Sequence, residues 1–431
     1  MKKILLILFP IVLIVYASLV GYNYINKKKA RVAHQKELIN QHNKIIAEIS
    51  IPSLEMKIKK NLDDLKFVKK SMELDKNLIL TKYEFLNGFY SGIHEVYPGS
   101  GYLDFHNENL FVVSARGIIA YKNLKDDKQY FKQIENNIDD FINLKQFKKM
   151  RWFSIKDLKI HNNKIFVSFT EEIKENCWNT SIIFADLNYK KINFQKFFSS
   201  SECVHSLKNK DKEFNAHQSG GRIFVYNNDE FFFSLGDYRS RSLSQDKNSV
   251  NGKIIKFNIN TKLYEIISMG HRNPQGLFYD KKNDFILESE HGPQGGDEIN
   301  LIRLNKNEIP NYGWPVASYG EHYGGNSISN KLKYKKYPLL KSHKSNGFIE
   351  PLKYFVPSIG TSEIVGLGNK SYVLSSTKDK AIYFFNLDDN DEIEKISRVS
   401  VTERVRDLIL NENKLFLFLE NTASIGIIEL K

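Results

Sequence analysis

Six times along this chain a short turn bearing Asn, Asp or Gly runs directly into an apolar, strand-forming stretch. Asn107-Glu108-Asn109 leads into Leu110 to Ser114, Asn162-Asn163-Lys164 into Ile165 to Ser168, and Asn227-Asn228-Asp229 into Phe231 to Ser234. Asn283-Asp284 leads into Phe285 to Leu287, and Gly368-Asn369-Lys370 and Asn411-Glu412-Asn413 repeat the pattern near the C-terminus. Asn, Asp and Gly accept the positive φ of a tight hairpin, and the apolar run behind each suits the interior of a sheet. The copies lie about 40 to 90 residues apart, and units of that length that each fold as a small antiparallel sheet indicate a propeller. A β-sandwich would need a fixed two-sheet order rather than repetition. The expected fold is therefore all-β, a six-bladed β-propeller over residues 61–431. The 30 Phe and 22 Tyr agree, since aromatic residues favour strands.

The N-terminus is different in kind. Met1-Lys2-Lys3 precedes an apolar run from Ile4 to Val20, at the lower limit for spanning a bilayer. Residues 1–22 read as a signal anchor, or as a cleaved signal peptide with Val15-Tyr16-Ala17 before the cut. Residues 23–60 follow as a helical stalk that Pro52 interrupts. The formal charge is +13, but +8 of it sits in residues 1–60. The remainder carries no basic patch interleaved with aromatics, so nucleic acid is excluded as a partner. Lys27, Lys28, Lys29, Arg31 and Lys36 outweigh the charges before the apolar run, which by the positive-inside rule favours a cytoplasmic body. Cys177 and Cys203 either close a disulfide across one hairpin or blade or are two separate thiols.

In a propeller, loops from different blades converge on the central channel, so polar residues distant in sequence can meet one ligand. His217, before the Gly220-Gly221 pair, is a candidate general base, the alternative being an ordinary surface or core histidine. Asp237 lies at the far end of the following hairpin, where its carboxylate can return beside the imidazole and hold its tautomer. Arg272, Lys378, Arg404 and Arg406 form a candidate anion-binding set suited to a polycarboxylate. Side-chain alternation puts Arg404 and Arg406 on one strand face, an arrangement that calls for an anion or solvent. Gly292-Pro293 could offer carbonyls to Ca²⁺ with Asp297 and Glu298 nearby; equally, the two acids could pair with Arg or Lys.

Gly270-His271-Arg272-Asn273-Pro274-Gln275-Gly276, the stretch from Glu290 to Ile302 and Asn311-Tyr312-Gly313-Trp314-Pro315 resemble the soluble glucose/sorbosone dehydrogenases. These are six-bladed propellers that use pyrroloquinoline quinone (PQQ). The resemblance runs from about His217 to Asp407. It implies His217 as base, Asp237 as its orienting carboxylate, and Arg272 and Asn273 facing the quinone carbonyls. It implies Lys378, Arg404 and Arg406 as partners of the PQQ carboxylates, a further hydrogen bond from Ser358, and Gly292 and Pro293 as carbonyl donors to Ca²⁺. Two departures fall on the substrate side: Ala216 replaces an acidic residue, and Val356 replaces a Trp over the cofactor, with Tyr354 close by.

The apolar run reads as the membrane anchor, and the resemblance implies a periplasmic quinoprotein that oxidises an aldose to its lactone, overriding the charge count around that run. Its electrons would pass to a cytochrome or a quinone. The alternatives are a non-catalytic propeller that binds a glycan or protein partner, and a metal-dependent lactonase.

Overall fold

The computed structural model describes residues 57–89, 100–142, 154–304, 307–324 and 330–430. Two strands, β1 (Leu65–Glu73) and β2 (Ile79–Phe85), come first and pair with each other. Five antiparallel sheets then follow in chain order. The first is β3 (Gly101–His106), β4 (Asn109–Ser114), β5 (Ile119–Asn123) and β6 (Tyr130–Asn136). The second is β7 (Ile155–His161), β8 (Lys164–Lys174) and β9 (Cys177–Asp186), with the short β10 (Lys191–Ile192) passing to β6 and β11 (Gln195–Phe198) and β12 (Val204–His205) returning to β9. The third is β13 (Gly220–Val225), β14 (Glu230–Leu235), β15 (Lys253–Asn258) and β16 (Tyr264–Met269). The fourth is β17 (Pro274–Asp280), β18 (Phe285–Glu290), β19 (Asp297–Arg303) and β20 (Lys353–Phe355), and the fifth is β21 (Thr361–Gly368), β22 (Ser371–Ser376), β23 (Ala381–Leu387) and β24 (Ile393–Ser400).

The sixth sheet joins the two ends of the described chain. Its strands β25 (Val405–Asn411), β26 (Lys414–Leu419) and β27 (Ser424–Glu429) take β2 as their fourth member, Leu80 to Glu84 pairing with Ile428 to Ser424. The innermost strands β3, β7, β13, β17, β21 and β25 each touch the next, and β25 touches β3, so they close a ring. This is a β-propeller. β1 and β2 precede the first of the six repeated turns, and β2 serves as the outer strand of the last sheet.

Each of the six repeated turns joins an innermost strand to the second strand of its sheet. Asn107, Asn162, Asp284, Asn369 and Glu412 sit there at φ of 48° to 54°. The second strands are buried almost end to end, as in β14 and β18, because neighbouring sheets cover both their faces. That explains unbroken runs such as Phe231-Phe232-Phe233 rather than alternation. Between the second and third sheets, Phe166, Phe197, Phe198, Phe231, Phe233 and Phe257 form one cluster.

The channel is held from inside by Arg222, the third residue of β13. Its Nη1 lies 2.9 Å from Asp157 and 2.7 Å from Asp407, and its Nε lies 2.5 Å from Glu363. These carboxylates are the third residues of β7, β25 and β21. Each also accepts a backbone N–H from another sheet: Asp157 from Ile223 (2.7 Å), Asp407 from Leu103 (2.7 Å) and Glu363 from Leu277 (3.0 Å). Burial pushes the Asp157 carboxyl up to about 6 and that of Glu363 up to about 8, against the pull of Arg222.

Cys177, opening β9, is bonded to Cys203, just before β12, within the second sheet. Residues 57–61 are helical and Ile58 is buried in a core cluster. The anchor expected at residues 4–20 and the stalk up to residue 56 lie outside the described residues. Among the described residues no helix is long and apolar enough to cross a membrane.

Two outcomes follow. A carboxyl whose folded pKa is raised stabilises below its unfolded pKa and loses that contribution as pH rises through the folded value. Wild-type melting temperature should therefore carry a downward component between pH 5 and 8 that Glu363→Gln removes; identical pH profiles would contradict the assignment. Replacing Cys177 and Cys203 with Ser, which releases a loop of separation 26, should cost about 3.5 kcal/mol in urea denaturation.

Candidate functional site

Hairpin geometry brings the start of every innermost strand to the same end as the close of its second strand. Gly220 pairs with Leu235, Pro274 with Glu290, Thr361 with Ser376 and Val405 with Leu419. His217, Arg272, Asn273, Ser358 and Arg404 precede innermost strands. Asp237, Gly292, Pro293 and Lys378 follow second strands. All the residues singled out from sequence therefore stand at one mouth of the channel.

Arg272 is the centre of one half of this mouth. Its Nη1 donates to the His291 carbonyl at 2.7 Å, and its guanidinium lies 5.3 Å from the Trp314 ring centre. Gln218, with its amide oriented to satisfy both ends, accepts from Arg272 Nη2 at 2.6 Å and donates to Asp237 Oδ1 at 3.0 Å. Asp237 is fully buried and also accepts from the Arg239 amide (2.8 Å) and the Trp314 indole (2.8 Å). Burial raises its pKa, with Arg272 opposing. His217 is half-buried in the adjoining turn, its backbone N–H donating to Asn215 Oδ1 at 2.8 Å. Asn273 Oδ1 accepts from Gly220 N–H at 3.2 Å, fixing the base of that turn to the fourth sheet.

The other half holds Arg404 and Arg406, and here the structure corrects the expectation of two cations awaiting an external anion. Glu420, following β26 and fully buried, accepts from Arg406 Nε and Arg404 Nε, each at 2.7 Å. Burial would raise this carboxyl, but the two guanidinium groups hold it down at about 2. Among the described residues Arg406 uses only its Nε in this way, which leaves its Nη groups for another acceptor. Lys378 is exposed and Ser358 half-buried. Ala216 is buried, Val356 is exposed, and Tyr354 stacks on Tyr319 with ring centres 3.6 Å apart.

The acidic loop resolves an alternative. Among the described residues Asp297 pairs with no Arg or Lys; it accepts the Gly292 N–H at 3.1 Å and the Gly360 N–H at 2.5 Å. Glu298 faces His343, with Nε2 at 3.6 Å. The Gly292 and Pro293 carbonyls accept no hydrogen bond among the described residues, which suits donors to a hard cation. Below them, His271, Glu288 and Glu290 bring possible ligand atoms within 4.8 Å of one another, all buried. Burial and Glu290 raise the Glu288 carboxyl well above its ordinary value, and Asn300 Nδ2 donates to it at 3.0 Å.

The sequence profile described as "Glucose / Sorbosone dehydrogenase" matches residues 157–428. The chain belongs to this family. Among curated relatives it is 26% identical over 211 residues to an aldose sugar dehydrogenase of Escherichia coli, covering 44% of this chain and 53% of that one. It is 31% identical over 139 residues to quinoprotein glucose dehydrogenase B of Acinetobacter calcoaceticus, covering 25% and 28%. These matches thus span about half the length of such relatives or less. The PQQ-bound aldose sugar dehydrogenase of Streptomyces coelicolor superposes with a TM-score of 0.57 at 17% identity, over 81% of this chain and 98% of that one. At that identity the likeness shows the shared fold.

Within this glucose/sorbosone dehydrogenase-family mouth, the sequence motifs include Trp314 without assigning it a role, and they do not single out Gln218 or Glu420. Gln218 adjoins His217 and was within reach of the motif. Glu420 carries no local signal, because only the pairing of β25 with β26 brings it beside Arg406. Removing one partner of a buried ion pair costs about 3–5 kcal/mol, so Glu420→Gln should lose stability on that scale at pH 7 in denaturant titration. The wild-type contribution is present above pH 4.5 and is lost as pH falls toward 2; the variant should lack that acid limb.

Proposed function

We propose that this chain is a quinoprotein that oxidises an aldose at its anomeric carbon to the lactone, with PQQ and Ca²⁺. The observation that carries the reading is the meeting at one mouth of the Arg272–Gln218–Asp237 chain, next in sequence to His217, with Arg406, whose Nε alone is taken up by Glu420 among the described residues. A flat tricarboxylate with quinone oxygens fits that donor set. Lys378, Arg404 and Arg406 would hold its carboxylates, Ser358 a further polar atom, and Arg272 and Asn273 its quinone oxygens. The Gly292 and Pro293 carbonyls would hold Ca²⁺.

When bound, PQQ supplies the two-electron acceptor and Ca²⁺ a Lewis acid. The chain supplies the rest. His217 takes the proton of the anomeric hydroxyl, and Asp237, which accepts from the side chain of the adjoining Gln218, holds that stretch of chain in place. Arg272, held by the His291 carbonyl and Gln218, presents fixed positive charge where negative charge develops. Ala216 and the exposed Val356 leave the substrate side less enclosed, which admits aldoses other than glucose. A lactonase would need its metal within substrate reach, whereas the His271–Glu288–Glu290 group is no more than 3% exposed. Export to the periplasm, with residues 4–20 as anchor, belongs to the same proposal and is supported by the Cys177–Cys203 disulfide.

The test is addition of PQQ and Ca²⁺ to the purified apo-protein, followed by dye reduction with a panel of aldoses. Turnover should require both additions. His217→Ala should bind PQQ but lose roughly 10²–10⁴-fold in kcat. Full turnover by that variant would contradict the proposed base.

A further inference from the structure

One buried cation at the mouth has no role in the account above. Lys156 is the second residue of β7, the same register position that Arg406 holds in β25. It is 6% exposed, and among the described residues its ammonium meets no hydrogen-bond acceptor. The charged groups that act on it are Arg406 and Glu420, both on the sixth sheet, whereas Lys156 belongs to the second. To feel them across the first sheet, its ammonium must reach inward over the channel.

The neighbouring strand makes room for this. Gly221, second in β13, lies so close that a Cβ there would come within 2.3 Å of the Lys156 Cβ. The lysine stem therefore lies flat on β13, one residue before Arg222. At this level Glu420 is already shared by Arg404 and Arg406, so Lys156 is a third cation facing one carboxylate. A buried lysine brought to a carboxylate that two guanidinium groups already hold is suited to a bound anion.

We infer that Lys156 is a further anion-binding residue of the mouth and takes a carboxylate of the bound quinone. This rests on the proposed function and extends its list of cofactor contacts. Burial, with Arg406 adding to it, lowers the Lys156 amine to about 7. The charged groups facing it are Arg406 and Glu420, and Tyr102 on β3 also faces Arg406. The lysine is charged below that pH, so PQQ affinity should weaken as pH rises above about 7.

The experiment is spectroscopic titration of the full chain with PQQ in the presence of Ca²⁺, from pH 6 to 8.5, for wild type, Lys156→Met and Lys156→Arg. Each is accompanied by a melting curve, and citrate serves as a second tricarboxylate probe. Lys156→Met should bind PQQ about tenfold more weakly at pH 6.5, a loss of 1.4 kcal/mol, and lose the pH slope. Lys156→Arg should restore affinity with a flat profile, and the sugar KM at saturating PQQ should not move. Equal affinity and equal pH profiles in wild type and Lys156→Met would overturn the inference while leaving the function standing. A wild type that binds citrate through Lys156 but not PQQ would keep the anion site and overturn the quinone reading. Binding of neither probe would overturn both.

Discussion

A single buried guanidinium fixes the geometry on which the rest depends. Arg222 holds carboxylates from the second, fifth and sixth sheets, and donates from Nε to the Gln275 carbonyl of the fourth at 2.9 Å. All four charged residues occupy the third position of their strands, so the contact is also a register lock. A one-residue slip of β7, β21 or β25 would turn its carboxylate away and leave charge unpaired inside the protein, which is costly. With the third positions fixed, the second positions form the next tier, where Lys156 and Arg406 stand. The turns before the strands, with His217, Arg272 and Asn273, come immediately above.

Polarity is distributed along the channel accordingly. At the Arg222 level carboxylates outnumber the cation, and burial compensates by raising Asp157 and Glu363 so that protons are retained. One residue closer to the mouth cations prevail among the described residues, Arg404 and Arg406 both contacting Glu420 and Lys156 lying near them. That order of charge is the one the proposed anionic cofactor would require at the mouth. Serine hydroxyls reinforce the ring between sheets: Ser234 donates to the Pro274 carbonyl at 3.1 Å and Ser289 to that of Ser362 at 2.7 Å.

Much of this was legible in the amino-acid sequence. The six turns with Asn, Asp or Gly mark the inner hairpin of every sheet because that hairpin is both tight and deeply buried, which leaves local chemistry little freedom. The residues from Gly270 to Pro315 were legible for a different reason: loops that must present backbone and side-chain groups together tolerate few residue types. What was not legible depended on pairing across long separations. The use of β2 to complete the sheet of β27, and the arrival of Glu420 between Arg404 and Arg406, leave no local trace. Lys156 was hidden by its surroundings, since Ile155-Lys156-Asp157-Leu158 reads as an ordinary strand with a solvated lysine until β13 is laid beside it.

The central claim is that register-locked innermost strands gather a base, a guanidinium relay and a cluster of cations around one tricarboxylate quinone. The most direct measurement is a crystal structure of the protein grown with PQQ and Ca²⁺. The account predicts the cofactor at this mouth, its carboxylates within hydrogen-bond distance of Lys378, Arg404 and Arg406, the ion on the Gly292 and Pro293 carbonyls, and the His217 imidazole over the quinone. A cofactor bound elsewhere, or at this mouth with His217 facing away from it, would contradict the account.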